Sequence, residues 1–305
     1  MMKYVTKIKA KVNIHATKRT SMLFDGSYKS IYTGNGFDFE NLREYIPGDN
    51  IRDIDWKASS RSRNILVKRY IAERKHNVLL VFDAGKNMDA HTAALQSKKE
   101  VALYVGGTFG YLAGRNGDQI GAIYCLDGRV KYFPLRGGMH HLEYILTMYD
   151  RQELAKDNSR RGPECEKNPE GKTGDLEKSL NYIIKNINRN MIVMVVTDAA
   201  GIHSISEDTI KKLTGRNDVL FISVSDAQIT SDKAYAMDKS SYIPEFISKD
   251  KKLRQIEQET RERIHKENEK KLSKYRIMST EIDSDEQLSE KIAELLERHK
   301  YAGNR

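Results

Sequence analysis

The stretch Asn77–Gly85, NVLLVFDAG, decides the fold. Apolar residues run without a break from Val78 to Phe82 and end in Asp83. A run that is apolar on both faces suits a strand buried in the middle of a parallel sheet. A carboxylate at its C-terminal end then faces the crevice where open α/β sheets bind ligands. Met191–Gly201, MIVMVVTDAAG, repeats the pattern with Asp198 in the same place, and Asp218–Ser225, DVLFISVS, is a third such run. Between the first two, Thr92–Ala113 sets Leu95, Ala102, Val105, Phe109 and Leu112 on one helical face, with Gly114 placed to stop it. Gly106 and Gly107 cost that helix stability and read as points of close packing on the sheet. Strands and helices in alternation predict an α/β domain with a mostly parallel sheet and flanking helices.

Gln119–Leu126 reads as a further strand, Asp127-Gly128 as a tight turn and Arg129–Leu135 as the hairpin partner, with Pro134 favouring an edge position. A helix is expected over 140–149, an exposed polar loop over 151–174 and another helix over 176–187. Residues 249–274 are densely charged, with a sparse stripe of Leu253, Ile256, Ile264 and Leu272, which describes a long solvated helix. Ser284 with Gln287 has the spacing of a capping box. It would open a last helix that buries Leu288, Ile292, Leu295 and Leu296.

Apolar residues make up 39% of the 305 and charged residues 31%, which excludes a chain too polar to fold. No stretch approaches the roughly 18 apolar residues of a spanning helix, and the N-terminus has no apolar leader. The expectation is a cytoplasmic protein without stable membrane insertion. Cys125 and Cys165 are too few for a disulfide framework or a zinc site. The net charge is +9, and the first nineteen residues hold Lys3, Lys7, Lys9, Lys11, Lys18 and Arg19 without an acid. That end reads as a basic arm or edge suited to an anionic surface.

Asp83 and Asp198 are the leading candidates for chemistry, and three uses compete. A phosphotransferase of the haloacid dehalogenase type needs a second aspartate where Gly85 stands. A metal nuclease needs three or four carboxylates around Mg²⁺, and no third is evident at a strand end. A binding site needs only one or two carboxylates and neutral oxygens around a Mg²⁺ that keeps charge for a partner's carboxylate. Alternatively, both aspartates cap neighbouring turns by accepting backbone N–H bonds. Ser59, Ser60 and Ser62 lack a histidine base nearby, and His140 and His141 lack metal-ligand spacing.

Leu42–Arg63, LREYIPGDNIRDIDWKASSRSR, concentrates arginines, aspartates and the chain's single tryptophan. Pro47 and Gly48 fit a type II turn that folds Arg43 and Glu44 back over Arg52 and Asp53. In the strand expected next, Arg52, Ile54 and Trp56 share one face, and Asp53 and Asp55 share the other. Arginine–carboxylate pairs among Arg43, Arg52, Asp49 and Asp55, with Trp56 as an apolar anchor, would hold this segment on the main sheet. The same arginines and Trp56 would equally suit a partner-binding face.

Gly36–Tyr70, GFDFENLREYIPGDNIRDIDWKASSRSRNILVKRY, followed by Val78–Met88, VLLVFDAGKNM, resembles the domain of unknown function 58 family. Its members are similar to von Willebrand factor A domains and accompany MoxR-type AAA+ ATPases. The resemblance extends from Gly36 to about Val224. It implies a Rossmann-like sheet and a metal-ion-dependent adhesion site of the form Asp-x-Ser-x-Ser, then Thr, then Asp. Asp83 and Asp198 match the two aspartates, whereas Gly85 and Asn87 stand in place of the serines and Lys86 adds a positive charge. Thr173 meets the threonine only with a one-residue shift, Gly174 taking the direct position. The implied metal set is therefore a degenerate Asp83, Asn87, Thr173 and Asp198, holding Mg²⁺ weakly or not at all.

On the same resemblance, Arg43, Glu44, Tyr45, Gly48, Asp49, Arg52, Asp55 and Trp56 form a structural or partner-binding motif. It lies in an N-terminal segment, 1–76, ahead of a von Willebrand factor A-like domain, 77–305. Larger relatives carry N-terminal membrane helices and a β-sandwich that are not found in this sequence. The function expected is a non-catalytic adaptor or partner of a MoxR-type AAA+ ATPase. The alternative is a metal-dependent phosphoesterase or nuclease using Asp83 and Asp198.

Overall fold

The computed structural model describes residues 2–15, 38–71, 75–151, 175–228, 235–236, 241–242 and 250–303. Strands β1 (Asp38–Glu44) and β2 (Leu66–Ile71) pair antiparallel as a separate ribbon. The main sheet is built from β3 (Asn77–Phe82), β4 (Gln119–Leu126), β5 (Arg129–Arg136), β6 (Ile192–Thr197), β7 (Asp218–Val224) and β8 (Met278–Ile282). Its order is β8-β7-β6-β3-β4-β5, parallel throughout except for β5, which returns antiparallel beside β4. Asp127 and Gly128 take the positive φ of a tight hairpin turn, and Pro134 lies in the edge strand, as the sequence predicts.

Alternate residues of each central strand enter opposite cores. Val78, Leu80 and Phe82 of β3 pack with helices α1 (Lys3–His15), α2 (Lys98–Arg115), α3 (Met139–Arg151) and α8 (Leu288–Gly303). Leu79 and Val81 pack with α4 (Asp175–Asn186), α5 (Ala199–Ser204), α6 (Glu207–Thr214) and the C-terminal end of α7 (Lys251–Lys274). The result is a helix–sheet–helix sandwich, the α/β class expected from two-faced apolar strands. No described helix is long and apolar enough to cross a membrane.

The basic N-terminus is not a free arm. Tyr4, Val5, Ile8 and Val12 are buried on one face of α1, while Lys3, Lys7 and Lys9 remain exposed. The helix has no acid in its own first turn. Instead, the backbone N–H groups of Lys3, Tyr4 and Val5 donate to the Glu143 carboxylate of α3 at 2.6, 3.0 and 2.8 Å. A distant carboxylate thereby satisfies the orphan donors and the positive end of the helix dipole. Lys11 pairs with Asp285. Lys18 and Arg19 lie outside the described residues.

Three local expectations are corrected. Helix α2 opens at Lys98, not Thr92, because Leu95 takes φ 62° in a turn closed by a Thr92 N–H bond to the Gln96 carbonyl. Its end passes Gly114 and stops at Asn116. Gly106 does mark close packing on the sheet, where a Cβ would lie 2.4 Å from the Phe82 ring, whereas Gly107 marks it on α1, 2.3 Å from the Ile8 Cδ1. Ser284 and Gln287 form a backbone turn, Gln287 N–H to Ser284 O at 3.4 Å, and α8 begins after it. The polar loop expected over 151–174 falls, beyond Arg151, outside the described residues, and Thr173 and Cys165 with it.

Candidate functional site

The C-terminal ends of β3, β6 and β7 are adjacent in the sheet, and each carries an aspartate just beyond it: Asp83, Asp198 and Asp226. A third strand-end carboxylate is therefore present, contrary to the expectation from sequence. Asp83 is buried and saturated with donors. Its Oδ1 accepts the Gly85 N–H at 2.8 Å. Its Oδ2 accepts the Thr197 hydroxyl at 2.7 Å and the Asn87 amide at 3.0 Å. Tyr149 donates its hydroxyl to the Asp83 carbonyl at 2.8 Å, and full burial pushes that phenol well above its ordinary value, keeping it a donor.

Asp198 caps α5 by accepting the Gly201 N–H on Oδ1 at 2.7 Å. Its other oxygen meets the Lys98 ammonium at 2.6 Å. Lys98, the first residue of α2, has a side chain only 1% exposed and pairs on its other side with Asp226. A Cβ at residue 201 would lie 2.0 Å from the Thr197 hydroxyl, 3.0 Å from Asp83 Oδ2 and 3.2 Å from Asp198 Oδ1. Both carboxylates thus converge on a spot that only glycine leaves open.

This donor set does not fit Mg²⁺, which takes about six oxygens in near-octahedral geometry. The Lys98 ammonium already holds Asp198 and Asp226, and Asp83 Oδ2 is used by a hydroxyl and an amide. Asn87, expected as a ligand, donates to Asp83. Among the described residues no group of three or more His, Cys, Asp or Glu side chains is set to hold a metal ion.

Lys98 and Thr197 carry no signal in the sequence. Lys98 is one lysine of an adjacent pair, and its partners lie far along the chain. Asp226 was missed, although the sequence holds a signal for it: it follows the third apolar run one residue later than its counterparts follow theirs.

On β8, Glu281 lies opposite Ser223 of β7. The Glu281 side chain is exposed, and partial desolvation where its carboxyl meets the protein is what chiefly pushes that carboxyl up, with Asp283 adding to the effect and His265 and Arg261 opposing it, so the effect on stability is small. The charged form is thus disfavoured in the fold, a cost present at neutral pH and lost as pH falls through the raised value. Glu281→Gln is expected to melt higher than the wild type at mildly alkaline pH, with the gap closing as pH falls to the ordinary carboxylate range. A gap that widened on acidification would refute this.

The motif segment forms a clasp on the β1–β2 ribbon. Arg43 binds Asp49 bidentately at 2.7 and 2.6 Å across a turn in which Asp49 N–H meets the Ile46 carbonyl. The Arg43 guanidinium holds Asp49 below the usual carboxylate range, helped by the Ile46 N–H. Glu44 accepts from Asn64, and the Tyr45 N–H meets the Ile65 carbonyl.

The strand expected after the turn is instead a 3₁₀ turn, Ile51–Asp53, and one helical turn, Trp56–Ser59. Asp55 accepts the Ala58 N–H at 2.9 Å, a local cap that overrides the alternating pattern. Ser59 donates its hydroxyl to the Asp55 carbonyl and accepts the Leu66 N–H. Arg52 is exposed and makes no ion pair among the described residues. Trp56 is not an anchor either, its surface being 64% exposed, and Ile46, Ile51 and Ile65 are exposed beside it in the sequence of the same unit. The buried residues Ile54 and Val67 face each other through an isolated bridge, and neither belongs to the two cores of the main domain.

Among known proteins, uncharacterized proteins of Mycobacterium tuberculosis and Mycobacterium bovis are each 24% identical over 201 residues. The aligned part covers 66% of this chain and 59% of each relative, so the chain spans less than two thirds of their length. A solved structure, von Willebrand factor type A from Catenulispora acidiphila, aligns with a TM-score of 0.37 and 12% identity over 77% of this chain and 44% of that one. The family described as protein of unknown function DUF58 matches residues 41–234, well over half of the sequence. The chain with the Arg43–Asp49 clasp and the three strand-end aspartates therefore belongs to the DUF58 family.

Proposed function

We propose that the chain is a non-catalytic protein–protein interaction module whose partner is a MoxR-type AAA+ ATPase. The observation that carries this reading is the clasp, which ties Arg43 to Asp49 and Asp55 to the Ala58 N–H while leaving Trp56, Ile46, Ile51 and Ile65 exposed. Exposed aromatic and aliphatic groups on a fixed scaffold have the composition of a binding hot spot. The class of partner comes from the family resemblance. The hydrolytic alternative finds no support at the crevice, where Asp198 faces an ammonium and Asp83 accepts from neutral donors.

The test is the affinity of the purified chain for a MoxR-type ATPase of the same organism, with and without ATP. Trp56→Ala is expected to weaken binding by about tenfold or more and to leave the melting temperature unchanged. Equal binding by the variant would remove the clasp from the interface. Phosphodiester hydrolysis abolished by Asp198→Asn would replace the adaptor by an enzyme.

A further inference from the structure

We propose that the cleft between α1, α2 and the last turn of α3 binds a small phosphomonoester, whose phosphoryl group is held by Lys3, Lys7 and Lys99. Neither the clasp nor the strand-end aspartates line this cleft, so the proposal stands or falls independently of the ATPase reading.

Three observations carry it. The first is the space. The cleft holds about 260 Å³ and is lined by Lys3, Tyr4 and Lys7 of α1 and by Lys99, Leu103 and Tyr104 of α2. Lys3 and Lys7 are one turn apart on one face of α1, as Lys99 and Leu103 are on α2. Drug-sized ligands fill about 300 Å³ or more, so this cleft suits something smaller.

The second is charge without a counter-charge. Lys3 and Lys7 are exposed and Lys99 is half-buried, and none of the three forms an ion pair among the described residues. Two carboxylates also line the cleft, Glu100 and Asp150. Asp150, however, accepts the Tyr4 hydroxyl, and burial with Asp150 pushes that phenol up to about 12, which keeps it a donor. The Lys3 ammonium meets the same hydroxyl at 3.5 Å. Burial holds Lys99 below its ordinary value, with Asp150 and Asp89 opposing, and an anion in the cleft would relieve that cost.

The third is the match of donors to ligand. Three ammoniums against two carboxylates leave one positive charge, and a phosphoryl group carries about −1.5 to −2 near neutral pH on three strong acceptor oxygens. Ammoniums supplied by two different helices can each take one of those oxygens. A carboxylate has two oxygens and a single charge, so it would leave one lysine unused. Leu103 and Tyr104, both buried, give the cleft an apolar side for the organic remainder. Ser97, which also lines the cleft, spends no side-chain bond on capping α2.

The experiment uses the full chain, with sodium glycerol phosphate as the probe. It should raise the melting temperature by about 3 °C more than sodium chloride or sodium malonate of equal ionic strength. In titration calorimetry, Lys7→Met and Lys99→Met should each weaken binding of the probe about tenfold. Lys9→Met, on the same helix as Lys7 but outside the cleft, should leave it unchanged. Lys99→Gln serves if the methionine variant does not fold. Sedimentation with phosphatidylcholine vesicles containing phosphatidic acid separates the two sources of such a group. Vesicle binding that both glycerol phosphate and Lys99→Met abolish assigns the phosphoryl group to a lipid, and no vesicle binding assigns it to a soluble compound. Equal melting in the three salts, malonate matching glycerol phosphate, or equal losses in Lys9→Met and Lys99→Met would each overturn the proposal.

Discussion

Lys98→Met is expected to lower stability by about 3–5 kcal/mol, the range for removing one member of a buried ion pair. Methionine keeps the length of the side chain and its apolar stem, so the loss reports the charge and not the volume. What remains is Asp198, buried and facing Asp226 without the ammonium between them. Domains are stable by about 5–15 kcal/mol, so a loss of this size approaches the margin of folding. A fall in melting temperature of roughly 10 °C is the corresponding readout. Lys98→Met/Asp226→Asn should recover part of it by removing one of the two stranded charges. A melting curve unchanged in Lys98→Met would contradict the burial and pairing of the ammonium.

Ile8→Ala should cost about 2–5 kcal/mol, the cost of emptying a well-packed aliphatic site. Ile8 is fully buried, and its Cδ1 sits where Gly107 of α2 leaves room. Relaxation would have to move two helices at once, so the cavity is not expected to collapse. Lys9→Ala, one residue on and exposed, should change stability by less than about 0.5 kcal/mol. Denaturant midpoints of the two variants decide whether α1 is part of the domain, since equal midpoints would make it a dispensable arm.

The contrast between Ile8 and Lys9 also explains what the sequence conceals. Tyr4, Val5, Ile8 and Val12 have helical spacing, but the lysines between them dominate the composition, and the acid that caps the helix is Glu143. By comparison, β3, β6 and β7 were legible because strands buried on both faces are apolar at every position. Arg52, Ile54 and Trp56 alternate as a strand would, yet the Asp55 carboxylate bonds the Ala58 N–H and closes a helical turn. Such local side-chain bonds compete with the pattern instead of contributing to it. Asp83 and Asp198 were placed correctly at the sheet's C-terminal edge. Their counter-charge was not, because Lys98 reaches Asp198 and Asp226 across separations of 100 and 128 residues. Nothing local to a lysine announces such a contact.

The strand order has a consequence for how the chain is made. In chain order β3 comes first, then the crossover helix α2 and the hairpin of β4 and β5. β6 and β7 then extend the sheet in the other direction, and β8 arrives last, after the whole of α7 has been synthesised. Until then β7, buried along nearly its entire length in the finished domain, is an open apolar edge on the nascent chain. Unpaired edges of that kind recruit strands from other molecules. Fragments that end before Met278 are accordingly expected to associate through β7 and to be lost to aggregation during expression.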